Sequence, residues 1–502
     1  MKLGTLLEAA GLSGGDPAKA DIEVTAVTDE SRVVVPGTVF VAVPGLHVDG
    51  HAFVANAVAA GAVAIVTERD PDPVPDVAIP HLRVADSRVA LGQLADAWHG
   101  HPSRRMTVAG ITGTDGKTTT TTMLWSAWRA GGLMAASLGT IDARTGDHIA
   151  TNARRMTTLE APQLQGELAR IVDAGCTHVA LETSSNALAL HRVDSVAYDV
   201  AIYTRITSEH LDLHHSWQGY FEAKRRLLRL TAASRHSTAV LDADDERAFA
   251  LLVREPVGQK LSYSISQRPI ADLVARNLVV DNGGVHFVAH TPWGTAEVNL
   301  RLAGRFNASN ALAAMAAGCA TGVSLDDAAR GVSQLQRVPG RMEPVHAGQD
   351  FSVVVDYAHT EEALAKVLSE LRATTSGRLW VVFGSAGERD REKRPAMGAV
   401  AARLADVTVL TDEDPREEDR QQILEEIAAG AEVAGSVRGS TLHLIADRQE
   451  AIGLAISQAK RGDTVLLAGK GHESSILMAD GPHPWDELAV AKTALAARSR
   501  RP

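Results

Sequence analysis

The feature that most constrains this chain is a junction: the apolar stretch Met106-Thr-Val-Ala-Gly-Ile111 runs straight into Thr112-Gly-Thr-Asp-Gly-Lys-Thr-Thr119. A strand that enters a glycine-rich turn and leaves it as a helix belongs to a parallel α/β layer. Backbone N–H groups of such a turn, with the helix N-terminus behind them, cradle polyphosphate. Lys117 would then carry charge to the outer phosphates, and the Thr118 hydroxyl is placed to ligate Mg²⁺. The strict pattern Gly-x4-Gly-Lys-[Ser/Thr] fails, because Ile111 stands where its first glycine belongs. A phosphate loop of a variant type is expected.

The chain is long enough, at 502 residues, for several cores. Apolar strands alternate with helical stretches in two blocks. The first block holds the phosphate-loop strand, a helix over Thr118–Gly131, strands Thr177–Leu181 and Tyr198–Ile202, and an amphipathic helix over Gly219–Leu230. The second holds strands Ser352–Asp356, Leu379–Phe383, Val407–Thr411 and Thr464–Ala468. Such alternation predicts parallel sheets. Before them lie short strands Val39–Val43 and Ala62–Thr67, a helix near Phe53–Ala60, a proline-rich loop Asp70–Asp76 and a linker Gly100–Arg104. The expected fold is α/β in three domains: residues 1–101, a central parallel-sheet ATPase-type domain over 102–339, and a Rossmann-like α/β domain over 340–502.

A net charge of −11 argues against a general binder of nucleic acid or anionic membrane. No apolar run is long enough to span a bilayer, and the only cysteines, Cys176 and Cys319, sit among small apolar residues. A cytoplasmic protein with free buried thiols is expected, acting as a monomer.

Residue chemistry then leaves alternatives. Glu182, at the end of a strand in Leu181-Glu-Thr-Ser-Ser-Asn186, could face the loop and hold a metal, or merely start a helix. Thr204-Arg-Ile-Thr-Ser-Glu-His-Leu-Asp-Leu-His-His215 matches no closed zinc site. Lys224, on the residues alone, reads as a solvated lysine on a basic helix face.

The motifs together resemble the Mur ligase family, and its MurE type most closely. Gly113-Thr-Asp-Gly-Lys-Thr-Thr119, Glu182-Thr-Ser-Ser185, His210-Leu-Asp212, Tyr220-Phe-Glu-Ala-Lys224 and Gly304-Arg-Phe-Asn-Ala-Ser-Asn310 occur in the family's order. Asp356-Tyr-Ala-His-Thr360, Phe383-Gly-Ser-Ala-Gly-Glu-Arg-Asp390, Asp414-Pro-Arg416 and Gly469-Lys-Gly-His-Glu473 continue it. The resemblance implies an ATP-dependent amide ligase of peptidoglycan precursor synthesis. It would add a diamino acid to UDP-N-acetylmuramoyl-L-alanyl-D-glutamate through an acyl phosphate.

It also implies roles. ATP would lie on Gly113, Thr114, Asp115, Gly116, Lys117, Thr118 and Thr119, with Asn307 and Asn310 near adenine. Arg341 and Asp356 would meet its phosphates and ribose when domains close. Thr118, Glu182, His210 and Lys224, the last carbamylated, would hold Mg²⁺. Ser31, Arg32, Thr157, Thr158, Ser184 and Arg192 would contact the UDP-muramoyl dipeptide, although threonines before a helix are also ordinary caps. Asp414, Arg416, His472 and Glu473 would surround the incoming amino acid.

Three positions depart from the family pattern: Asn186 replaces a usual His, Asp115 an Asn, and Asp414 the Asn of Asp-Asn-Pro-Arg. Arg416 suits a carboxylate on the amino acid, whereas the extra carboxylate of Asp414 suits a cationic terminus. Diaminopimelate, lysine and ornithine all stay open. Competing readings are a related ligase with another acceptor, and a nucleotide-operated protein that hydrolyses ATP to move a partner.

Overall fold

A computed structural model describes residues 1–13, 17–45, 48–70, 79–152, 156–207, 209, 211–281 and 284–499. The chain divides into two compact units. The first comprises Met1–Val274, His290–Gly294 and Asn310–Gly331; the second comprises Ala275–Ala289, Thr295–Ser309 and Val332–Pro502.

The first unit begins with a small sheet of β1 (Ala26–Thr28), β2 (Thr38–Val41), β3 (Ala62–Thr67) and β4 (His81–Arg83), paired in that order and parallel throughout. The helices Leu3–Ala9 and Ser87–Trp98 bury Leu3, Leu6, Leu91 and Leu94 against it.

The larger sheet is built from β5 (Thr107–Thr112), β6 (Ala135–Leu138), β7 (Asp142–Thr145), β8 (His148–Thr151), β9 (His178–Glu182), β10 (Val200–Tyr203), β11 (Thr238–Asp242) and β12 (Gln259–Ser264). Their order is β12-β11-β10-β5-β9-β6-β7-β8. The strands from β12 to β6 are parallel, while β7 and β8 add an antiparallel edge. β5 lies between β9 and β10, in the register Ile111↔Glu182 and Thr112↔Tyr203. The phosphate loop, Glu182 and the segment after Tyr203 therefore leave neighbouring strands at the same end, where open parallel sheets bind ligands. Beneath them, Leu164, Leu168, Tyr220, Phe221, Leu227 and Leu228 pack one face of the sheet.

β13 (Leu273–Asp281) pairs with β12 at Tyr263↔Leu273 and is followed by β14 (Gly284–Thr291) and β15 (Gly294–Leu300). In the second unit, β16 (Glu343–Pro344), β17 (Ser352–Asp356), β18 (Leu379–Phe383), β19 (Val407–Leu410), β20 (Leu442–Leu444) and β21 (Thr464–Ala468) form a sheet of order β16-β17-β21-β18-β19-β20. All pairs are parallel except β16 with β17. Apolar cores lie on both faces of this sheet, as a doubly wound layer requires.

The predicted linker is not free chain. Pro102–Arg105 forms a 3-10 turn with Pro102 and Ser103 buried, and the Ser103 hydroxyl accepts the Ala197 N–H at 3.0 Å. Most of the proline-rich stretch, residues 71–76, lies outside the described residues.

Candidate active site

The loop after β5 takes its shape from its glycines. Gly113 and Gly116 have φ of 151° and 84°, left-handed backbone that favours glycine. A Cβ at Gly113 would lie 1.8 Å from the Thr204 hydroxyl, and one at Gly116 would lie 2.4 Å from Asn310 Oδ1. The segment after β10 clamps the loop. Thr204 donates to the Asp115 carbonyl at 2.6 Å, Thr114 N–H to the Arg205 carbonyl at 2.7 Å, and Thr207 N–H to the Thr114 hydroxyl at 2.9 Å. The helix Lys117–Ala130 starts directly behind, buries Thr118 and Thr119, and directs its first N–H groups at the loop.

Lys117 Nζ donates to the Gly113 and Thr114 carbonyls at 2.9 and 2.8 Å. Lys224, on helix Trp217–Thr231, reaches the same Gly113 carbonyl at 2.8 Å. It is only 1% exposed, so the solvated basic-face reading is wrong for this residue. The helix's other cations turn elsewhere: Arg225 pairs with Glu222 and Glu255, and Arg226 with Asp194. Burial, and then the Lys117 charge, hold the Lys224 amine well below the usual lysine range, against the pull of Glu209 and Asp115. The Tyr220 ring lies 4.4 Å from Lys224 Nζ, and its hydroxyl is 3.1 Å from that of Thr114.

Glu182 is 1% exposed and faces the loop. Its Oε2 accepts the Thr118 hydroxyl at 3.1 Å and the Thr140 hydroxyl at 2.9 Å, while Oε1 accepts the Thr140 N–H at 2.9 Å. The Thr140 hydroxyl also lies 3.1 Å from that of Thr157, whose O–H can donate to it. Thr158 donates to the Glu182 carbonyl at 2.8 Å and accepts the Ser184 N–H at 3.0 Å. Ser184, not Glu182, caps the short helix Ser185–Ala189, accepting the Ala187 N–H at 3.2 Å. Nor do Thr157 and Thr158 cap Ala161–Asp173, whose N-cap is Glu160.

Oxygen ligands beside a phosphate-binding turn suit a hard cation such as Mg²⁺, so the Thr118–Glu182 pair fits that metal. His210 lies outside the described residues. Asn310 Oδ1 accepts from Thr120 at 3.4 Å, next to the loop. Asn186, at the family's His position, has a buried Oδ1 with no hydrogen-bond partner among the described residues.

The remaining substrate-side residues are less gathered. Arg32 is exposed and pairs with Glu30 on its own turn, beside Ser31. Arg192 pairs with Glu160 at 2.7 Å. Burial pushes the carboxyl groups of Asp29 and Glu160 up, and Arg88 and Arg192 counteract it at both.

The second unit carries its polar residues at the ends of β17, β19 and β21. Asp356 accepts the Met342 and Ala358 N–H groups at 2.7 and 2.8 Å. The Arg341 guanidinium sits 4.9 Å above the Tyr357 ring, and its buried Nε has no hydrogen-bond partner among the described residues. Tyr357 packs on His472 at 5.1 Å and donates to Glu473 at 3.4 Å. Asn307 donates to the Ala303 carbonyl at 2.6 Å, within its own chain segment.

Asp414 changes the sequence-based argument. Its Oδ1 accepts Lys470 Nζ at 2.7 Å and the Leu477 N–H at 2.8 Å. Lys470 is fully buried and also pairs with Glu473. The extra carboxylate is thus paired inside the protein with an ammonium it shares with Glu473, and it is not a free charge that by itself argues for a cationic terminus on the amino acid. Arg416 keeps capacity: its nearest carboxylate, Glu388, is 4.0 Å away and its Nε has no hydrogen bond among the described residues. Lys470 lies inside a motif quoted from the sequence, but nothing in its spacing revealed the pairing. Thr140 follows a strand too short to be read from periodicity.

Comparison with known proteins bears on the whole chain. Residues 23–99 match the model of the Mur ligase family catalytic domain, 111–318 the Mur ligase middle domain, and 340–471 the glutamate ligase domain of Mur ligases. The UDP-N-acetylmuramyl-tripeptide synthetase of Roseiflexus sp. (strain RS-1) is 45% identical, over 94% of this chain and 95% of its own. A protein of the same name from Deinococcus radiodurans is 43% identical, over 96% of each. The UDP-N-acetylmuramoyl-L-alanyl-D-glutamate--2,6-diaminopimelate ligase of Geobacillus thermodenitrificans is 40% identical, over 97% and 96%. A solved structure of a ligase with that last name superposes with a TM-score of 0.70 at 29% identity, covering all of both chains. Thermotoga maritima MurF in complex with ADP shares the fold, with a TM-score of 0.63 at 20% identity over 95% of this chain and 98% of its own. The phosphate loop, its clamped threonines and these relatives converge: the chain belongs to the Mur ligase family and is a ligase of the MurE type.

Proposed function

We propose that this ligase joins a diamino acid carrying a distal carboxylate, of the diaminopimelate class, to UDP-N-acetylmuramoyl-L-alanyl-D-glutamate, with ATP as the energy source. The observation that carries the reading is the convergence of Lys117, Thr118, Glu182 and Lys224 on one phosphate loop, with Thr158 bonded to the Glu182 carbonyl and Thr157 reached from Glu182 through Thr140. Domains divide as residues 1–101 for the UDP-substrate, 102–339 for ATP and 340–502 for the amino acid.

In the first step the D-glutamate side-chain carboxylate attacks the γ-phosphorus of ATP, and ADP leaves. In the second the amine of the diamino acid attacks the acyl phosphate, loses a proton and expels phosphate. Loop N–H groups and Lys117 stabilise charge on the transferring phosphoryl group. Thr118, Glu182, His210 and a modified Lys224 would hold Mg²⁺, which supplies further charge neutralisation when bound. The neutral amine of Lys224 is the form that attacks CO₂: an N–C bond forms, a C=O π pair moves onto oxygen, the nitrogen loses one proton, and a carbamate anion takes the amine's place. Asn307 and Asn310 serve adenine, Arg341 and Asp356 the phosphates and ribose, and Ser31, Arg32, Ser184 and Arg192 the UDP-muramoyl dipeptide. Arg416, His472 and Glu473 receive the amino acid.

The choice of a distal carboxylate follows from Arg416, whose capacity is unspent while Asp414 is held by Lys470. The test is phosphate release and product mass from the purified chain with ATP, the UDP-dipeptide and, separately, diaminopimelate, lysine and ornithine. Release requiring both co-substrates, with diaminopimelate preferred, is expected. Release from ATP alone would overturn the ligase reading, and preference for lysine or ornithine the amino-acid assignment.

A further inference from the structure

In the second unit, two loops carry the residues assigned to the amino acid: 412–416 after β19 and 469–473 after β21. Their bases are tied by Arg448, which is fully buried, donates to the Asp412 and Ala468 carbonyls at 2.9 and 2.7 Å, and pairs with Glu487. Their tips are tied by Lys470, whose ammonium touches Asp414 at 2.7 Å and also pairs with Glu473. The Lys470 side chain is 0% exposed, against 11% for Asp414 and 18% for Glu473. Its charge therefore works inside the protein, while the two carboxylates reach partly to the surface at the loop tips. Glu413, buried alongside, is pushed up by burial and held in check by His359, Lys393 and Lys470.

We propose that Lys470 is a positioning residue that sets amino-acid specificity: as internal counter-ion to Asp414 and Glu473, it fixes the charge that an incoming side chain meets. The inference rests on the ligase reading above. Lys470 offsets one of the two carboxylates it touches, so the charge Asp414 presents to a side chain depends on whether Lys470 is there. Removing either partner alone changes the local charge by one, in opposite directions. Removing both leaves the balance as it was.

The experiment is a charge ladder in the full chain: Asp414→Asn, wild type, the Asp414→Asn/Lys470→Met double variant and Lys470→Met. For each, kcat/KM is measured for diaminopimelate and for lysine with ATP and the UDP-dipeptide, together with KM for ATP. Wild-type ligation comes first, since its absence defeats the ligase reading and not the role of Lys470. The ratio of diaminopimelate to lysine is expected to rise several-fold in Asp414→Asn, fall several-fold in Lys470→Met and return near the wild-type value in the double variant, with KM for ATP unmoved. A merely structural lysine would lower both activities together. A ratio that stays flat across the folded variants, or a double variant displaced from wild type as far as either single one, overturns the proposal. Should Lys470→Met fail to fold, Asp414→Asn and the double variant decide it: the first must shift the ratio and the second restore it.

Discussion

Lys224 and Gly113 are joined by a 2.8 Å hydrogen bond from a buried amine to a phosphate-loop carbonyl, so a group whose charged form burial disfavours sits at the foot of a site built for anions. The folded-state pKa is depressed below 10.5. The sign follows: unmodified Lys224 favours the fold fully above its unfolded pKa, and that contribution is lost as pH falls through the folded value. Lys224→Met is therefore expected to raise Tm at neutral pH in bicarbonate-free buffer, with a smaller gain at alkaline pH, by about 2–4 °C per kcal/mol recovered. The same variant should lose at least about 100-fold in ligation. Thermal scans at both pH values, with turnover, check this; a lower Tm at neutral pH contradicts it.

Glu182 links the phosphate loop to Thr140 through both carboxylate oxygens. Glu182→Gln keeps an oxygen for the Thr140 N–H and removes the charge. It should lower kcat by about 10²–10³-fold and raise the Mg²⁺ concentration needed for half-maximal rate. An unchanged Mg²⁺ titration would remove Glu182 from the metal's surroundings.

Asp242, at the end of β11, is pushed up to about 7 by burial and by the neighbouring carboxylates of Asp244 and Asp245. A raised acid stabilises the fold at low pH, and this contribution fades as pH rises from 3.8 to about 7. Asp242→Asn retains an acceptor for the Asp244 N–H and should remove that fading. Its stability gain over wild type grows across the window to the order of a few kcal/mol. Parallel Tm profiles for the two proteins would contradict the assignment.

Arg448 and Glu487 form an ion pair with both side chains fully buried. Arg448→Met should cost about 3–5 kcal/mol, because Glu487 keeps its charge without its partner, and replacing both by apolar residues should recover most of it. The urea midpoint of each variant measures the effect.

The strands of the second unit were legible because buried parallel strands read as unbroken apolar runs: Ser352–Asp356, Leu379–Phe383 and Thr464–Ala468 have the expected bounds. β15, whose burial alternates, and the short β6 gave no such signal. Proline and glycine marked Gly100–Arg104 as a break, but punctuation says nothing about whether a turn packs against its neighbours. The phosphate loop was legible in full, since glycine spacing and backbone shape are the same fact. Charges were harder. Lys224 sits on a helix with three arginines, and only the packing shows that it alone turns inward. Asp414 looked like a free carboxylate until Lys470, distant in sequence, was found against it.

The hydroxyls of Thr118 and Thr140 share one oxygen of Glu182, and Thr140 passes the contact on to Thr157. A nucleotide drawing on Thr118 and a sugar peptide drawing on Thr157 would compete for, or jointly order, the same carboxylate. Their affinities are then thermodynamically coupled, and the factor by which one changes the other must be equal in both directions.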